Sequence, residues 1–512
     1  RHYNLTAMKV QLRHFLSRLR FDIDKVNDMC SVKGARPLIN ILKCMLILSG
    51  LRVTSGKIKT IVGLCKDLNH LYLTQGPKGA VLHLKTAAVL IQQALGEHRV
   101  PDVGQIAGCR VSRNRAGLPR WIRQADRAAI RRQDYDIVRF YLTFLNLYRN
   151  MVYLGIPGIK SIIEPDFGTH ALDQTVLSMI PNFLRLFVWD RFKEDRVVAM
   201  LKEHADNIVP IFRSAPGGVI LQRGDLLTEV NFSSHPMVLI RQAISIAADP
   251  KLLEAIRYLM RFTESPKLEK IFDQVLDSQF IRILKPLGCL GKLGAKVESA
   301  GKVRIFAMVD AWSQWTLAPL HRTIFEILKG VPQDGTFDQT GPLYRADSFP
   351  GLFSLDLSAA TDRLPIWLQV KLLAGLVGDP DFAQHWANLL VGRAYRFAVM
   401  GFERYHGVYR YAVGQPMGAL SSWAMLAFTH HFMVQASAWM AGYPRHILYR
   451  NYAVLGDDLV LGDESVMTHY IALCESLGIR LGIHKSVLSP KGLALEFAKR
   501  TVWHGVDVSP IP

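Results

Sequence analysis

Asn451-Tyr-Ala-Val-Leu-Gly-Asp-Asp-Leu-Val-Leu461 is the stretch on which the fold of this chain depends. Apolar residues on both sides of Gly456-Asp457-Asp458 suit two short strands, and the Gly-Asp pair suits a two-residue hairpin turn. Such a turn brings two adjacent carboxylates out of an otherwise buried hairpin. Because crowded carboxylates repel each other, a divalent metal is a natural partner, although an ordinary hairpin turn has the same local sequence.

The composition indicates a folded protein with a polyanionic partner. The chain has 512 residues, of which 49% are hydrophobic and 21% are charged, so it is long enough for several domains and a large core. The formal net charge of +19 favours nucleic acid first and an anionic membrane surface second. The six cysteines include no Cys-x-x-Cys pair, which argues against a zinc site and a disulfide framework.

The N-terminal part is predicted to be helical, with no stable membrane span. Residues 38–48 and 81–91 have the length and the apolar faces of helices. The most apolar run, residues 37–51, carries Lys43 and is typical of a buried helix. Because the chain starts with Arg1 rather than Met, we expect a piece of a longer protein, and a targeting peptide is not excluded.

A strongly basic segment covers residues 110–132, where eight arginines face a single acid, Asp126, and Trp121 is interleaved. Arginine contacts phosphates through a fork of donors, and an indole can stack on a base. The segment is therefore a candidate RNA-facing surface, with Arg120 and Arg123 as candidate contacts. A solvated basic helix is the alternative interpretation.

A second group of cations lies in residues 291–307 around Gly301. Lys302 and Arg304 are two positions apart, so on a strand they point to the same face, and Lys296 is close to them in sequence. A pair of cations on a rigid strand can grip a triphosphate. Taken alone, the segment is equally typical of an exposed strand face.

Two spaced carboxylates follow the apolar strand that starts at residue 351. Asp356 stands at the C-terminal end of this strand, which is a common place for a metal ligand. Asp362 lies six residues further on. It either belongs to the same site or caps the next helix together with Thr361.

A Gly-rich loop at residues 413–422 runs into a long apolar helix. Such a loop lets the backbone of a ligand approach closely and presents hydroxyls at Ser421 and Ser422. The adjacent His430 and His431 point in different directions on this helix, so we interpret them as structural.

Cations also mark the C-terminal region of the chain. Lys485 is predicted to lie in a loop. Residues 494–500 resemble a strand that ends in Lys499 and Arg500.

The order and spacing of these pieces resemble the palm motifs of viral RNA-dependent RNA polymerases. More narrowly, the chain is similar to mitovirus polymerases, relatives of the narnaviruses, densely from residue 285 to 512 and only generally before that. The segments that carry this similarity are Ala300-Gly-Lys-Val-Arg-Ile-Phe-Ala-Met-Val309, Asp334-Gly-Thr-Phe-Asp-Gln339, Asp356-Leu-Ser-Ala-Ala-Thr-Asp-Arg-Leu-Pro365, Gly414-Gln-Pro-Met-Gly-Ala-Leu-Ser-Ser-Trp-Ala424 and Leu495-Glu-Phe-Ala-Lys-Arg500.

The loop–helix motif departs from that of many positive-strand virus polymerases, which carry Ser-Gly, then Thr, then Asn. The corresponding positions here are Met417-Gly418, Ser422 and Leu426, so the usual asparagine partner of the ribose is missing. The spacing from Asp356 to Asp362 is one residue longer than in picornavirus-like enzymes and matches the levivirus and mitovirus pattern.

The resemblance implies an RNA-dependent RNA polymerase that replicates a viral RNA genome by Mg²⁺-dependent, template-directed nucleotidyl transfer, with Mn²⁺ able to substitute. Asp356 and Asp457 are then the main metal ligands with Asp458 nearby, and Lys485 is a general acid or phosphate clamp. The implied nucleotide contacts are Lys296, Lys302, Arg304, Asp362, Gly418, Ser421 and Ser422. The implied contacts to the primer backbone are Lys499 and Arg500.

The implied fold is an α+β right-hand polymerase with an antiparallel-sheet palm, helical fingers and a missing or truncated thumb. The expected domains are an N-terminal helical, basic region with fingers at 1–215, fingers with the basic nucleotide-binding strand at 216–345, a palm at 346–500 with 364–410 partly in the fingers, and the start of the thumb at 501–512. The implied partners are template RNA, nascent RNA and nucleoside triphosphates. The implied location is the host mitochondrion, or the cytoplasm if the protein is narnavirus-like.

Two other functions remain open from the sequence. A reverse transcriptase shares the palm and the paired aspartates, but it places an aromatic gate where Asp362 stands here. An inactive RNA-binding relic of an integrated viral polymerase is the other possibility, and the intact acidic set argues against such decay.

Overall fold

The computed structural model describes residues 35–208, 210, 214–223, 226–232 and 235–512. The predicted helical character of the first hundred residues therefore falls partly on residues 1–34, which lie outside the described part. The chain forms two compact units. The first unit comprises residues 1–156, 297–303 and 484–512, and the second comprises residues 157–296 and 304–483.

Among the described residues, both units consist mainly of helices. In chain order they are α1 Ala35–Leu48, α2 Ser55–Leu95, α3 Gly104–Ala107, α4 Gln124–Arg131, α5 Tyr135–Leu145, α6 Ile159–Ile163, α7 Asp173–Leu184, α8 Glu194–Asp206, α9 Pro236–Ala247, α10 Pro250–Phe262, α11 Pro266–Leu276, α12 Ala311–Lys329, α13 Ala360–Arg363, α14 Ile366–Val377, α15 Pro380–Val391, α16 Ser422–Met440 and α17 Glu464–Leu477. The two predicted N-terminal helices are confirmed as parts of α1 and α2.

The strands are short. In chain order they are β1 Ser214–Arg223, β2 Leu226–Phe232, β3 Gly291–Val297, β4 Val303–Met308, β5 Leu352–Asp356, β6 Tyr395–Phe397, β7 Gly407–Tyr409, β8 Tyr452–Leu455, β9 Asp458–Leu461, β10 Val487–Ser489, β11 Ala494–Phe497, β12 Arg500–Trp503 and β13 Val506–Asp507. The expected domain boundary after residue 215 lies inside β1, within the second unit.

The first unit packs its helices around an apolar core. The long helix α2 changes direction at Gly76, whose φ of 69° is left-handed and which precedes Pro77. Leu84 of α2 and Tyr141 of α5 are fully buried in this core. The antiparallel sheet β11-β12-β13 completes the unit and contributes Trp503 to the same core.

Trp121 belongs to this core and does not face RNA. Its side chain is 9% exposed, and its ring lies 5.6 Å from the ring of Phe144 and 5.8 Å from that of His83. The prediction that this indole stacks on a base is therefore wrong, because its apolar surface is already covered by the protein.

The second unit contains the predicted hairpin around Gly456-Asp457-Asp458. Strands β5, β9 and β8 lie side by side in an antiparallel sheet, with β9 in the middle. Strands β4, β3, β6 and β7 form another sheet, in which β3 and β6 run parallel. The residues of α16 from Ala424 to Trp439 are all buried, as expected for a helix that is apolar on every side.

Within the described residues, no helix combines the length and the apolar character that crossing a membrane requires.

Candidate active site

The predicted hairpin is confirmed. Strands β8 and β9 are joined by the two-residue turn Gly456-Asp457, with Leu455 opposite Asp458. Gly456 has a φ of 60°, and a Cβ at this position would lie 2.4 Å from the ring of Trp423. Glycine is therefore required at this position for two reasons: the left-handed backbone conformation and the close approach of the indole.

Three carboxylates meet at the end of this sheet. Asp356, the last residue of β5, lies directly opposite Asp458, the first residue of β9, and Asp457 is in the turn next to them. One oxygen from each of the three lies within 4.8 Å of the others. Directly opposed residues of antiparallel strands point to the same face, which explains how residues about a hundred positions apart converge. We call Asp356, Asp457 and Asp458 the acidic triad.

A buried histidine forms a hydrogen bond with the backbone of the hairpin turn. His430 of α16 is fully buried, and its Nδ1 lies 2.7 Å from the carbonyl oxygen of Gly456. Burial lowers the pKa of His430 to about 4, so the ring is neutral near pH 7. Nδ1–H therefore donates to the Gly456 carbonyl, and Nε2 accepts from the Tyr470 hydroxyl at 2.7 Å.

The neighbouring His431 fixes strand β8. Its Nδ1 lies 2.8 Å from the Tyr452 hydroxyl and its Nε2 lies 2.8 Å from a carboxylate oxygen of Asp334. Burial alone would raise the pKa of Asp334, but hydrogen bonds from His431 and Thr336 lower it, so the carboxylate is ionised. The interpretation of both histidines as structural is confirmed, since all four ring nitrogens bind protein groups.

Asp362 is held by a residue that the sequence did not indicate. The Ser161 hydroxyl donates to its carboxylate at 2.7 Å. The next residue, Arg363, donates to the carbonyl oxygens of Glu164 and Pro165, each at 2.7 Å. These bonds hold the segment that contains Ser161 against α13. The alternative that Asp362 caps the following helix is wrong, because α14 begins after Pro365 and has no side-chain cap.

The environment of Asp362 makes its ionisation costly. Burial raises the pKa of this carboxyl to about 6, although the Ser161 hydrogen bond and the charge of Arg363 act in the opposite direction. The folded-state pKa thus lies above the ordinary value of 3.8. The ionised carboxylate therefore destabilises the fold above about pH 6, and this cost disappears as the pH falls toward 4.

We expect Asp362→Asn to stabilise the protein at pH 7.5 by about 2 kcal/mol, because the neutral amide keeps an oxygen for Ser161 without the charge. At pH 5.0 the advantage should shrink, since the wild-type carboxyl is then largely protonated. The measurement is the free energy of unfolding in urea at the two pH values. An equal gain at both would show that this carboxyl does not titrate near pH 6.

The Gly-rich loop is built against neighbouring backbone. A Cβ on Gly414 would lie 2.3 Å from the Thr361 carbonyl oxygen, and the Gly414 amide donates to the Asp362 carbonyl at 3.0 Å. Gly418 has a φ of 114°, and a Cβ there would lie 2.5 Å from the Ala307 carbonyl oxygen. These glycines let the loop pack on the segment of Asp362 and on β4.

The predicted nucleotide contact at Ser421 needs correction. Ser421 is fully buried, and its hydroxyl accepts a hydrogen bond from the Trp386 indole at 2.9 Å. Its amide donates to Nδ1 of His321 at 3.2 Å. The residue therefore anchors the start of α16 in the interior. Ser422 is also buried, with 3% of its surface exposed.

Two of the predicted nucleotide contacts, Lys296 and Arg304, are cations on the surface of the second unit. Lys296 is exposed near the end of β3. Arg304 is exposed on β4, and its guanidinium lies 4.0 Å from the sulfur of Met417 in the Gly-rich loop. The predicted strand is confirmed for Arg304, with Val303 and Ile305 buried on either side of it. The prediction that Lys302 lies on the same strand is wrong, because β4 begins only at Val303.

In the first unit, Lys302 and Lys485 are both exposed. Lys302 closes a tight turn in which its carbonyl accepts from the Glu298 amide at 2.8 Å. The loop predicted around Lys485 contains a short 3₁₀ helix, Ile483–Lys485, so Lys485 is the last residue of a helical turn. Gln93 of α2 holds this loop by donating to the carbonyls on either side, those of His484 at 2.9 Å and Ser486 at 3.1 Å.

The prediction of one strand ending in Lys499 and Arg500 is wrong. Phe497 and Arg500 pair across a hairpin, and Ala498-Lys499 is its two-residue turn, with φ of 51° and 64°. Lys499 is therefore at the exposed tip, whereas Arg500 begins β12 and forms an ion pair with Asp507 at 2.7 Å. Sequence pattern missed the turn because neither residue is glycine or asparagine.

The two arginines expected to contact RNA differ in their surroundings. Arg120 is exposed. Arg123 donates to Asp67 at 2.8 Å, an ion pair that would have to open or be shared for a phosphate contact. Its partner is 56 positions away, so the count of acids within the segment could not reveal it.

A family model for the mitovirus RNA-dependent RNA polymerase matches residues 212–512, more than half of the chain and the part that contains the acidic triad. The chain belongs to the mitovirus RNA-dependent RNA polymerase family. The resemblance seen in the sequence motifs is thereby confirmed.

Relatives of the family agree with this assignment. The chain is 28% identical over 454 residues to the RNA-directed RNA polymerase of Cryphonectria parasitica mitovirus 1, covering 86% of this chain and 52% of that polymerase. It thus spans about half the length of this relative. It is also 38% identical over 194 residues to an uncharacterised mitochondrial protein of Arabidopsis thaliana, covering 36% of this chain and 74% of that protein.

Among solved structures, the chain is similar to an RNA polymerase complex inside a double-stranded RNA virus, with a TM-score of 0.44 and 14% identity. The match covers 87% of this chain and 44% of the other.

Proposed function

We propose that this chain carries the catalytic core of an RNA-dependent RNA polymerase that replicates a viral RNA genome by Mg²⁺-dependent, template-directed nucleotidyl transfer. The observation that carries the proposal is the convergence of the acidic triad at the end of the β5-β9-β8 sheet, inside the part of the chain that defines the family. In this proposal the sheet belongs to the palm, the surrounding helices to the fingers, and residues 501–512 to the start of the thumb.

The acidic triad fits divalent cations. Its three carboxylates are hard oxygen donors, and Asp356 and Asp457 are exposed, so a ligand can approach them. Asp356, Asp457 and Asp458 would hold Mg²⁺, with Mn²⁺ able to substitute. The chemistry supplied by bound cations is activation of the attacking 3′-hydroxyl and stabilisation of the charge on the departing pyrophosphate.

In the proposed site, the turn has to present the Asp457 carboxylate in a fixed direction. His430 contributes by restraining the backbone of the turn. Its hydrogen bond to the Gly456 carbonyl and its bond from Tyr470 leave the peptide before Asp457 little freedom. Such a neutral, fully buried support does not titrate near pH 7. In this proposal, the restrained peptide before Asp457 limits the positions that its carboxylate can take before substrate arrives, which reduces the cost of ordering it during the reaction.

Other residues of this chain would bind the substrates. Lys296, Lys302 and Arg304 would hold the triphosphate, and Lys485 would protonate pyrophosphate or clamp its phosphates. The contacts to RNA would be made by Arg120, Arg123, Lys499 and Arg500. Asp362 would accept from the ribose 2′-hydroxyl, with Gly418 and Ser422 lining the nucleotide. Ser161 then acts as a positioning residue for Asp362, since it binds the carboxylate and not the substrate.

The relatives also suggest where the protein acts. They include a mitovirus polymerase and a mitochondrial protein of Arabidopsis thaliana. We therefore propose a mitochondrial location, with template RNA, nascent RNA and nucleoside triphosphates as partners.

The test is RNA synthesis by the purified chain on a short RNA template with labelled ribonucleotides or deoxyribonucleotides, with Mg²⁺ or with a chelator. We expect a templated product that requires the metal and favours ribonucleotides. Preference for deoxyribonucleotides would indicate a reverse transcriptase. RNA binding without synthesis in Mg²⁺ or Mn²⁺ would indicate an inactive relic.

A further inference from the structure

The second unit contains a cavity whose lining includes no proposed catalytic or substrate-binding residue. Its volume is about 430 Å³, within the range of about 300–1,000 Å³ that small-molecule sites occupy. It is bounded by the segment that follows α7, by the loop after α12 and by the loop that leads into β8. We call it the arginine cavity, because its wall includes Arg191, Arg345 and Arg450.

The charge of the arginine cavity is unbalanced. Besides the three arginines, His446 lines it, and Asp190 is the single carboxylate among its lining residues. Across the part of the chain that the structure describes, none of the three arginines forms an ion pair with a carboxylate. The cavity therefore offers several guanidinium groups to an anion from outside.

The guanidinium of Arg191 is held in the cavity wall by specific contacts. It donates to the Phe187 carbonyl at 2.9 Å and lies 5.4 Å from the centre of the Phe192 ring. A Cβ on Gly330 would lie 2.5 Å from its Nη1, so a glycine makes room for the group. Although the residue as a whole is exposed, burial of its guanidinium lowers the pKa of Arg191. A cation partly removed from water without a carboxylate favours binding of an anion.

The same cavity offers an aromatic surface beside the cations. The Tyr344 side chain is 66% exposed and directly precedes Arg345. The deeper wall contains Tyr449 and Tyr452, whose rings are stacked with centres 5.9 Å apart. Exposed rings next to arginines are the usual combination for binding a base together with its phosphate.

We propose that the arginine cavity is a second nucleotide-binding site, which takes a phosphate-bearing nucleotide with its phosphate on Arg345 and Arg450 and its base on Tyr344. The nucleotide is either a free nucleoside phosphate or one link of an RNA strand, since both present the same phosphate and base. The site is distinct from the acidic triad. Its deeper wall includes Tyr452, the first residue of β8, whose hydroxyl is bound by His431.

The proposal is tested by equilibrium binding, without catalysis. The background is the full chain with Asp356→Asn and Asp457→Asn, in a chelator, so that metal-dependent binding at the acidic triad does not contribute. The probes are fluorescently labelled AMP and a labelled 12-nucleotide single-stranded RNA. Each is titrated against this background protein, the Arg345→Gln/Arg450→Gln variant and an Arg445→Gln control.

Arg445 is a matched control because it is exposed, lies in the same loop as His446 and does not line the cavity. We expect the double substitution to weaken binding on the order of tenfold, since it removes two charge-assisted contacts to phosphate, and we expect the control to have no effect. Weakened AMP binding would identify a free nucleotide as the ligand. Weakened RNA binding with no AMP binding would identify a strand.

Equal affinity of both probes for the double variant and the control would overturn the proposal, as would undetectable binding of both probes to the background protein. If the double variant does not fold, the single variant Arg450→Gln decides, because this side chain is exposed. The result does not depend on polymerase activity. A failed synthesis assay and a failed second site are therefore distinguishable.

Discussion

Asp356→Asn and Asp457→Asn should each reduce RNA synthesis by at least about 10³-fold, because metal-assisted charge stabilisation contributes several kcal/mol and each 1.36 kcal/mol is a factor of ten. Both substitutions keep the side-chain volume and both sites are exposed, so the fold should be unaffected. RNA affinity should stay within about twofold, since it depends on cations rather than on the acidic triad.

The measurement is primer or template-dependent incorporation of labelled ribonucleotides, together with RNA binding by fluorescence anisotropy. Asp381→Asn is the control, because Asp381 is an exposed carboxylate in the first turn of α15 and lies outside the acidic triad. Synthesis at the wild-type rate in either triad variant would contradict the metal assignment. Loss of synthesis in Asp381→Asn as well would show that the effect is not specific to the acidic triad.

Arg393→Met should destabilise the protein by about 3–5 kcal/mol, because it leaves the Asp310 carboxylate buried without its cation. Both side chains are almost completely buried. The guanidinium donates to Asp310 at 2.5 Å and to the Ser313 hydroxyl at 2.8 Å. Asp310 also caps α12 by accepting from the Ser313 amide at 2.8 Å. One network therefore joins Arg393, two residues after the end of α15, to the start of α12.

The consequence reaches the Gly-rich loop through α12. Gln314 donates to the Gly418 carbonyl at 3.1 Å and accepts from the Leu420 amide at 2.7 Å. Loosening the first turn of α12 should therefore also displace this loop. In an Arg393→Met variant that still folds, we expect weaker nucleotide binding together with the lower stability.

The stability measurement is urea unfolding of wild type, Arg393→Met, the double variant Arg393→Met/Asp310→Asn, and Arg396→Met as a control. The double variant should recover part of the loss, since a neutral Asn can still cap α12 without leaving a buried charge. Arg396 is exposed on β6, three residues along, and its substitution should change stability by no more than about 0.5 kcal/mol. If Arg396→Met were as unstable as Arg393→Met, loss of the buried ion pair would not be the cause of the destabilisation.

Several predictions from sequence were confirmed because their causes are local. The hairpin follows from apolar runs around a Gly-Asp pair, and α16 follows from a long, mostly apolar segment. The family was also evident from the order of motifs, since each motif combines a turn, a strand end and a charged residue at fixed spacing. Errors arose where the same residue type suits both a binding surface and a core. Trp121 is surrounded by arginines in the sequence, but in the folded chain its ring packs against the ring of Phe144.

Convergence of distant residues was decided by the tertiary structure. The sequence placed Asp356 and Asp458 at the ends of strands, but only the register of β5 against β9 puts them opposite each other. The bond from Ser161 to Asp362 spans 201 positions, and that from His430 to Gly456 joins a buried helix to a turn. Each such contact needs the packing of the whole unit, because a side-chain hydrogen bond is too weak to bring distant segments together by itself.

The sequence by itself thus determined several of the helices and strands, the family and the candidate metal ligands, all of which depend on residue type and short spacing. Only the tertiary structure decided which polar groups are buried and satisfied. It removed Ser421 from the nucleotide contacts, raised the pKa of Asp362 and revealed the arginine cavity. The physical reason is that desolvation and charge balance depend on neighbours in space, which a linear pattern does not specify.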